Sequence, residues 1–229
     1  MFITKLDWDS DFFGYKVGLL NSGGQFDESS LKDLTDPFRL VYITSPTPIR
    51  SPELTCGDSK QVYGKKPMHH GTNSIISEAR IDQLEQLSLI GLQSGVWSRF
   101  ALDGNFINGE FNKLYSKWVE RSVRQEIAYE ALTCIEEGQP VGLITLRNNG
   151  EDSSSIGLFA VLDTQRGKGI GKQLLQAVDT ISFERGDAQL TVSTQGKNNL
   201  AREVYTRFGF EMISETYVYN YWNESYEIQ

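Results

Sequence analysis

The sequence predicts an α/β fold, a mixed sheet with helices packed against it, preceded by a smaller N-terminal α/β module. Three observations lead there. Apolar runs of strand length recur at about 127–136, 141–147 and 155–162, and the breaks between them, Glu137-Gly138-Gln139-Pro140 and Asn148-Asn149-Gly150, have hairpin-turn chemistry. A glycine-rich stretch then opens a long helix that runs to Gly186, followed by a strand at 188–194, a helix at 198–208 and a Tyr-rich terminal strand. The order β-β-β-α-β-α-β is that of a sheet covered by helices.

The elements before that core follow from turn and helix signals. Residues 21–75 carry most of the turn chemistry, including Gly23-Gly24, Asp36-Pro37, Pro46-Thr47-Pro48 and Ser51-Pro52, around one clear strand, Leu40-Val41-Tyr42-Ile43. Composition shifts at Ser77-Glu78-Ala79-Arg80, after which Ile81, Leu84, Leu87 and Ile90-Gly91-Leu92 recur at helical spacing. The expected boundary therefore divides a module at 1–76 from a main domain at 77–229. Within the latter, Phe111, Leu114, Tyr115, Trp118 and Val119 form the apolar stripe of a helix at 111–123.

Composition removes several classes of function. Of the 229 residues 39% are hydrophobic and 23% charged, with no low-complexity tract, as in soluble globular proteins. The 22 Lys and Arg against 30 Asp and Glu give a net charge of −8, a field that repels a nucleic-acid backbone. No stretch approaches the ~20 apolar residues of a membrane span. Residues 1–7 turn acidic before any apolar run develops, so the expectation is a cytoplasmic protein without a membrane partner. Cys56 and Cys134 lack C-x-x-C partners and read as free buried thiols, and His69-His70 lacks further ligands at metal spacing, so no metal is expected.

The most informative stretch is residues 159–175, an apolar strand passing through Gly167, Gly169 and Gly171 into a helix. Glycines there let successive backbone N–H groups converge on a pyrophosphate at a helix N-terminus. A Walker A loop is excluded, because Arg166 and Gln173 stand where it needs Gly and Ser or Thr. A dinucleotide fingerprint is excluded because the third glycine comes one residue early. Downstream, Asn198, Ala201 and Tyr205 recur at one-turn spacing on a helix face, with Gly209 placed to cap its end.

The R-x-x-G-x-G pattern at Arg166, Gly169 and Gly171, with N-x-x-A-x-x-x-Y-x-x-x-G-F from Asn198 to Phe210, resembles the GNAT superfamily of acyl-CoA-dependent acyltransferases. The resemblance implies the GNAT fold, with a mostly antiparallel central sheet, and acetyl-CoA as co-substrate. It places the pantetheine arm against the backbone of Phe159, Ala160 and Val161 and the pyrophosphate on Arg166, Gly167, Lys168, Gly169, Ile170, Gly171 and Lys172. Asn198 would bind the pantetheine or adenylate side, cap the helix, or do both. Tyr205 is the expected general acid, since a phenol of pKa about 10 can protonate a thiolate whose conjugate acid lies near 8.5; a core tyrosine is the competing reading. Some family members carry a carboxylate base on the strand before the loop, but residues 156–161 have none, so the base is a water chain or is unnecessary, as for an amine already largely neutral near pH 7, which weakens a protein-lysine substrate.

Leu6-Asp7-Trp8-Asp9-Ser10-Asp11-Phe12-Phe13-Gly14, Ser98-Arg99-Phe100, Lys117-Trp118-Val119-Glu120 and Thr194-Gln195 are similar to the dTDP-fucosamine acetyltransferase family. That likeness implies a nucleotide-linked 4-amino-4,6-dideoxyhexose as acceptor, polysaccharide biosynthesis as setting, a homodimer, and an N-terminal module, which we expect to contribute to the acceptor site. Phe12 and Phe13, as platform or core, and Arg99, as diphosphate ligand or surface ion pair, are the candidate acceptor residues. A protein N-terminus, a polyamine, an antibiotic or another small amine are the alternative acceptors, and a non-catalytic acyl-CoA-binding domain is the alternative class.

Overall fold

Residues 131–134 and 140–146 are buried without alternation, the pattern of strands that are covered on both faces. The computed structural model describes residues 2–24, 36–71 and 75–226, with the side chain of Cys56 also outside the described set. Its strands are β1 (Ile3–Lys5), β2 (Val17–Asn21), β3 (Leu40–Ser45), β4 (Leu54–Lys65), β5 (Ile76–Glu78), β6 (Glu130–Glu136), β7 (Gln139–Asn148), β8 (Ser153–Val161), β9 (Gln189–Gln195) and β10 (Glu211–Trp222). They form one open sheet in the order β1-β2-β3-β10-β4-β9-β8-β7-β6-β5. Only the β2/β3 and β8/β9 pairs are parallel among the described strands.

Neighbouring residues on a strand face opposite ways, and here each way is a core. Leu132, Ile144 and Leu146 pack with Ile170, Leu174 and Val178 of α5 (Ile170–Glu184) and with Tyr205 of α6 (Asn199–Arg207). Ala131, Leu143 and Leu158 pack on the other face against α2 (Leu84–Ser94), α3 (Arg99–Leu102) and α4 (Glu110–Val123), where α1 (Asp7–Phe13) also docks through Phe12 and Phe13. Helices α2 and α4 approach closely at Gly91, where a Cβ would stand 2.4 Å from Cγ2 of Val119. Cys134 is a buried free thiol.

One strand is absent from the sequence-based expectation. β4 is polar and contains Gly57 and Gly64, so neither alternation nor β-propensity reveals it. It lies between β9 and β10, antiparallel to both. The N-terminal segment is thus hydrogen-bonded into the middle of the sheet, and the division expected at 76/77 falls within β5.

Candidate active site

The site begins with a backbone irregularity. β7 and β8 pair as Ile144↔Phe159 and then Leu146↔Ile156, so β8 carries an extra residue at 157–158. The bulge is built by Gly157, whose Cβ would stand 2.9 Å from Thr145 Oγ1, and by the Leu158 N–H, which donates to that same hydroxyl at 2.8 Å. A bulge bends and twists its strand. β8 and β9 pair only over residues 153–156 and 189–192, and beyond them the strands part. A cleft of about 920 Å³ opens along the gap, lined from both faces of the sheet.

At one end of the gap stands the glycine loop. Gly167 and Gly169 have φ of +82° and +84°, a left-handed conformation that only glycine adopts without strain, and a Cβ at either would meet nothing within 4 Å. Gly169 is the N-cap of α5, so the first-turn N–H groups of residues 169–172 have no acceptor within the helix and its positive end faces the cleft. Arg166 is steered by hydrogen bonds to Gln93 Oε1 at 3.0 Å and to the Val161 carbonyl at 3.3 Å. Arg166, Gly167, Gly169, Ile170, Gly171 and Lys172 all line the cleft, as do Phe159, Ala160 and Val161. Lys168 does not; its ammonium turns to Gln165 and to Glu136 Oε2 at 3.4 Å. The residues present fit acyl-CoA: an anion cradle for a pyrophosphate, and past Ile156 a strand edge without a β9 partner that can pair with amides of an extended ligand.

Helix α6 supplies the opposite wall. Asn198 caps it, its Oδ1 accepting from the Ala201 N–H at 3.1 Å, and it lines the cleft as well. Capping and lining are both observed. Tyr205 also lines the cleft with 4% of its surface exposed, its ring set against Tyr63 and Phe159 at 6.1 Å and Phe210 at 5.9 Å. Burial pushes its hydroxyl well above the ordinary phenol range, so it holds its proton.

Of the remaining wall, only Trp8 and Trp118 stand in the segments that carry the family likeness. Trp8 of α1, Lys60 of β4, Trp118 and Arg121 of α4, and Thr145 and Arg147 of β7 line the cleft on the face away from α5 and α6. Among the described residues the charged side chains lining the cleft are Lys60, Arg121, Arg147, Arg166, Lys172 and Arg207, all cations, in a protein of net charge −8. The interior glycine of β8 was the one available signal for the bulge; nothing in spacing pointed to Lys60 or Arg147.

Three residues expected at the acceptor do not line the cleft. Phe12 stacks on Trp8 at 5.2 Å and meets Phe13 edge-on at 5.0 Å, and Phe13 continues the cluster to Tyr15, Phe100 and Phe106. Aromatic burial holds both rings in the core behind Trp8. The Arg99 guanidinium lies over Tyr42 at 4.3 Å and Phe100 at 4.4 Å, a cation–π setting at the back of the wall. Among the described residues no group of three or more His, Cys, Asp or Glu is placed to hold a metal ion, and no helix is long and apolar enough to cross a membrane.

Known proteins share this architecture. A conserved protein of unknown function from Staphylococcus epidermidis superposes with a TM-score of 0.63 at 14% identity, covering 91% of this chain and 84% of its own. A GNAT-family acetyltransferase from Colwellia psychrerythraea gives 0.55 at 12% identity, covering 85% and 70%. The PaiA N-acetyltransferase of Thermoplasma acidophilum, solved in complex with coenzyme A, gives 0.50 at 19% identity, covering 65% and 98%. In sequence, residues 102–222 match the family described as the acetyltransferase (GNAT) domain. With its parted central strands, glycine loop and Tyr-bearing helix, the chain belongs to the GNAT acetyltransferase family.

Proposed function

We propose that the protein is an acetyl-CoA-dependent N-acetyltransferase acting on the amine of a nucleotide-linked amino sugar of the dTDP-4-amino-4,6-dideoxyhexose type. The observation that carries the acceptor class is the charge of the cleft, whose charged lining is cationic throughout. Such a lining attracts a phosphate-bearing acceptor and repels a polyamine. Among the described residues the cleft lining has no carboxylate to remove a proton from an alkylammonium, which agrees with an amine of modest basicity.

Acetyl-CoA supplies the activated acyl group as a thioester. The loop amides and the α5 N-terminus hold the pyrophosphate, while the free edge of β8 orients the arm so that the acyl carbon faces the acceptor across the gap. As the amine forms the new C–N bond the C–S bond breaks. Tyr205, kept protonated by burial, donates its hydrogen to the departing sulfur, and the proton released by the amine returns through water. Complexation with coenzyme A in the T. acidophilum protein supports the donor side. Trp8 and Lys60 are the contribution of residues 1–76 to the acceptor half, with Phe12 and Phe13 bracing Trp8 and the charge of Arg99 acting on Lys60 from behind. The reading carries with it a cytoplasmic location, polysaccharide biosynthesis and a homodimer.

The test is turnover. Free thiol released from acetyl-CoA is measured with a dTDP-4-amino-4,6-dideoxyhexose, spermidine and an N-terminal peptide as acceptors. Preference for the nucleotide sugar is expected; faster turnover of spermidine or the peptide would overturn the acceptor class, and tight CoA binding without turnover of any amine would leave a binding domain.

A further inference from the structure

The cleft holds more positive charge than its donor half needs. Arg166 and Lys172 belong to the glycine loop, and Arg121 and Arg207 are each paired at 3.0 Å, with Glu126 and Glu203. Lys60 and Arg147 remain, and neither has an ion-pair or hydrogen-bond partner among the described residues. They stand on β4 and β7, with β9 and β8 between them in the sheet. Tyr63 and Leu146 belong to the core beneath α5, so alternation sends Lys60 and Arg147 to the opposite face, where they flank the line along which β8 and β9 part.

The two charges act on each other. Lys60 has its pKa lowered, first by loss of surrounding water and then by the positive charges of Arg147 and Arg99. Like charges held together without a protein counter-charge repel, and a bound anion removes that cost. Trp8 and Trp118 stand on the same side of the cleft. We propose that Lys60 and Arg147 form an anion subsite, in the half of the cleft opposite the glycine loop, that holds the phosphates of the acceptor; the assignment of those phosphates to an acceptor rests on the function proposed above. Two long cations approaching from separate strands suit a diphosphate lying between them, and one set back from the gap leaves the amine free to reach the acyl carbon.

The experiment is calorimetric binding of thymidine diphosphate to the full-length protein already saturated with CoA, so that the glycine loop is filled. Wild type, Lys60→Gln and Arg147→Gln are compared, with thymidine and inorganic pyrophosphate as separate ligands. Neither side chain has a protein partner to lose, so both variants should keep the wild-type melting temperature and CoA affinity. Each should bind thymidine diphosphate at least about tenfold more weakly, as expected for a lost charge-assisted contact. Pyrophosphate should show the same dependence and thymidine none. Unchanged thymidine diphosphate affinity in both variants, or binding that CoA abolishes, would overturn the subsite. The two proposals fail separately: if the nucleotide sugar is not acetylated but thymidine diphosphate binding depends on Lys60 and Arg147, the acceptor reading falls and the subsite stands. If the sugar is acetylated with an unchanged KM in both variants, the subsite falls and the reaction stands.

Discussion

Replacing Thr145 by Val tests whether the β8 bulge creates the cleft. The side chain keeps its shape but loses the oxygen that accepts the Leu158 N–H at 2.8 Å. Thr145 is 2% exposed and Leu158 8%, so water has little access to the orphaned donor. An unsatisfied buried donor costs about 1–3 kcal/mol, and the added methyl returns less than about 1 kcal/mol, leaving a net loss near 1–2 kcal/mol. For a chain of this size that lowers the melting temperature by about 2–8 °C. Relaxation of the bulge should also draw β8 toward β9 and weaken CoA binding. Thr145→Ser retains the acceptor and should lose only the methyl, so it separates the hydrogen bond from packing. Scanning calorimetry and CoA titration of the three proteins provide the check. A valine variant with wild-type melting temperature and CoA affinity would refute the account of how the gap is held open.

Other outcomes follow from the same geometry. Gly169→Asp combines a side chain at φ +84° with a carboxylate facing the pyrophosphate, and should abolish CoA binding as measured by titration while the protein stays folded. Tyr205→Phe should lower kcat and kcat/KM together by about 100-fold, with CoA affinity barely changed; a wild-type rate where chemistry is limiting would make Tyr205 a packing residue. Because burial raises the Tyr205 pKa, its acid form persists above the ordinary phenol value, so kcat should not fall as pH rises through about 10; a descending limb there that disappears in the phenylalanine variant would contradict the burial. Gly91→Ala should destabilise the fold by about 1–3 kcal/mol despite its better helix propensity, because its Cβ meets Val119 at 2.4 Å, and Val119→Ala in the same chain should recover part of the loss.

The glycine-loop side of the cleft is legible in the chain itself. A strand, a glycine loop and a helix N-terminus are contiguous in residues 159–175, so local chain chemistry dictates the conformation there and leaves the first-turn N–H groups open to the cleft. The cap and stripe of Asn198, Ala201 and Tyr205 are likewise one helix read at its own period, and the hairpins at 137–140 and 148–150 are set by turn residues. The opposite wall is assembled from elements far apart in the chain. Lys60 shares a cleft wall with Arg147 because β4, polar and broken by glycines, pairs with β9 more than a hundred residues later in the chain, a pairing with no local signature. Phe12, Phe13 and Arg99 were drawn toward the acceptor by local resemblance, but the aromatic core formed by α1, α3 and α4 takes them in and leaves Trp8 at the surface of the cleft. Side-chain periodicity is a property of one element, whereas a cleft wall is assembled from several, and which of them meet is fixed by the burial and strand pairing of the whole sheet.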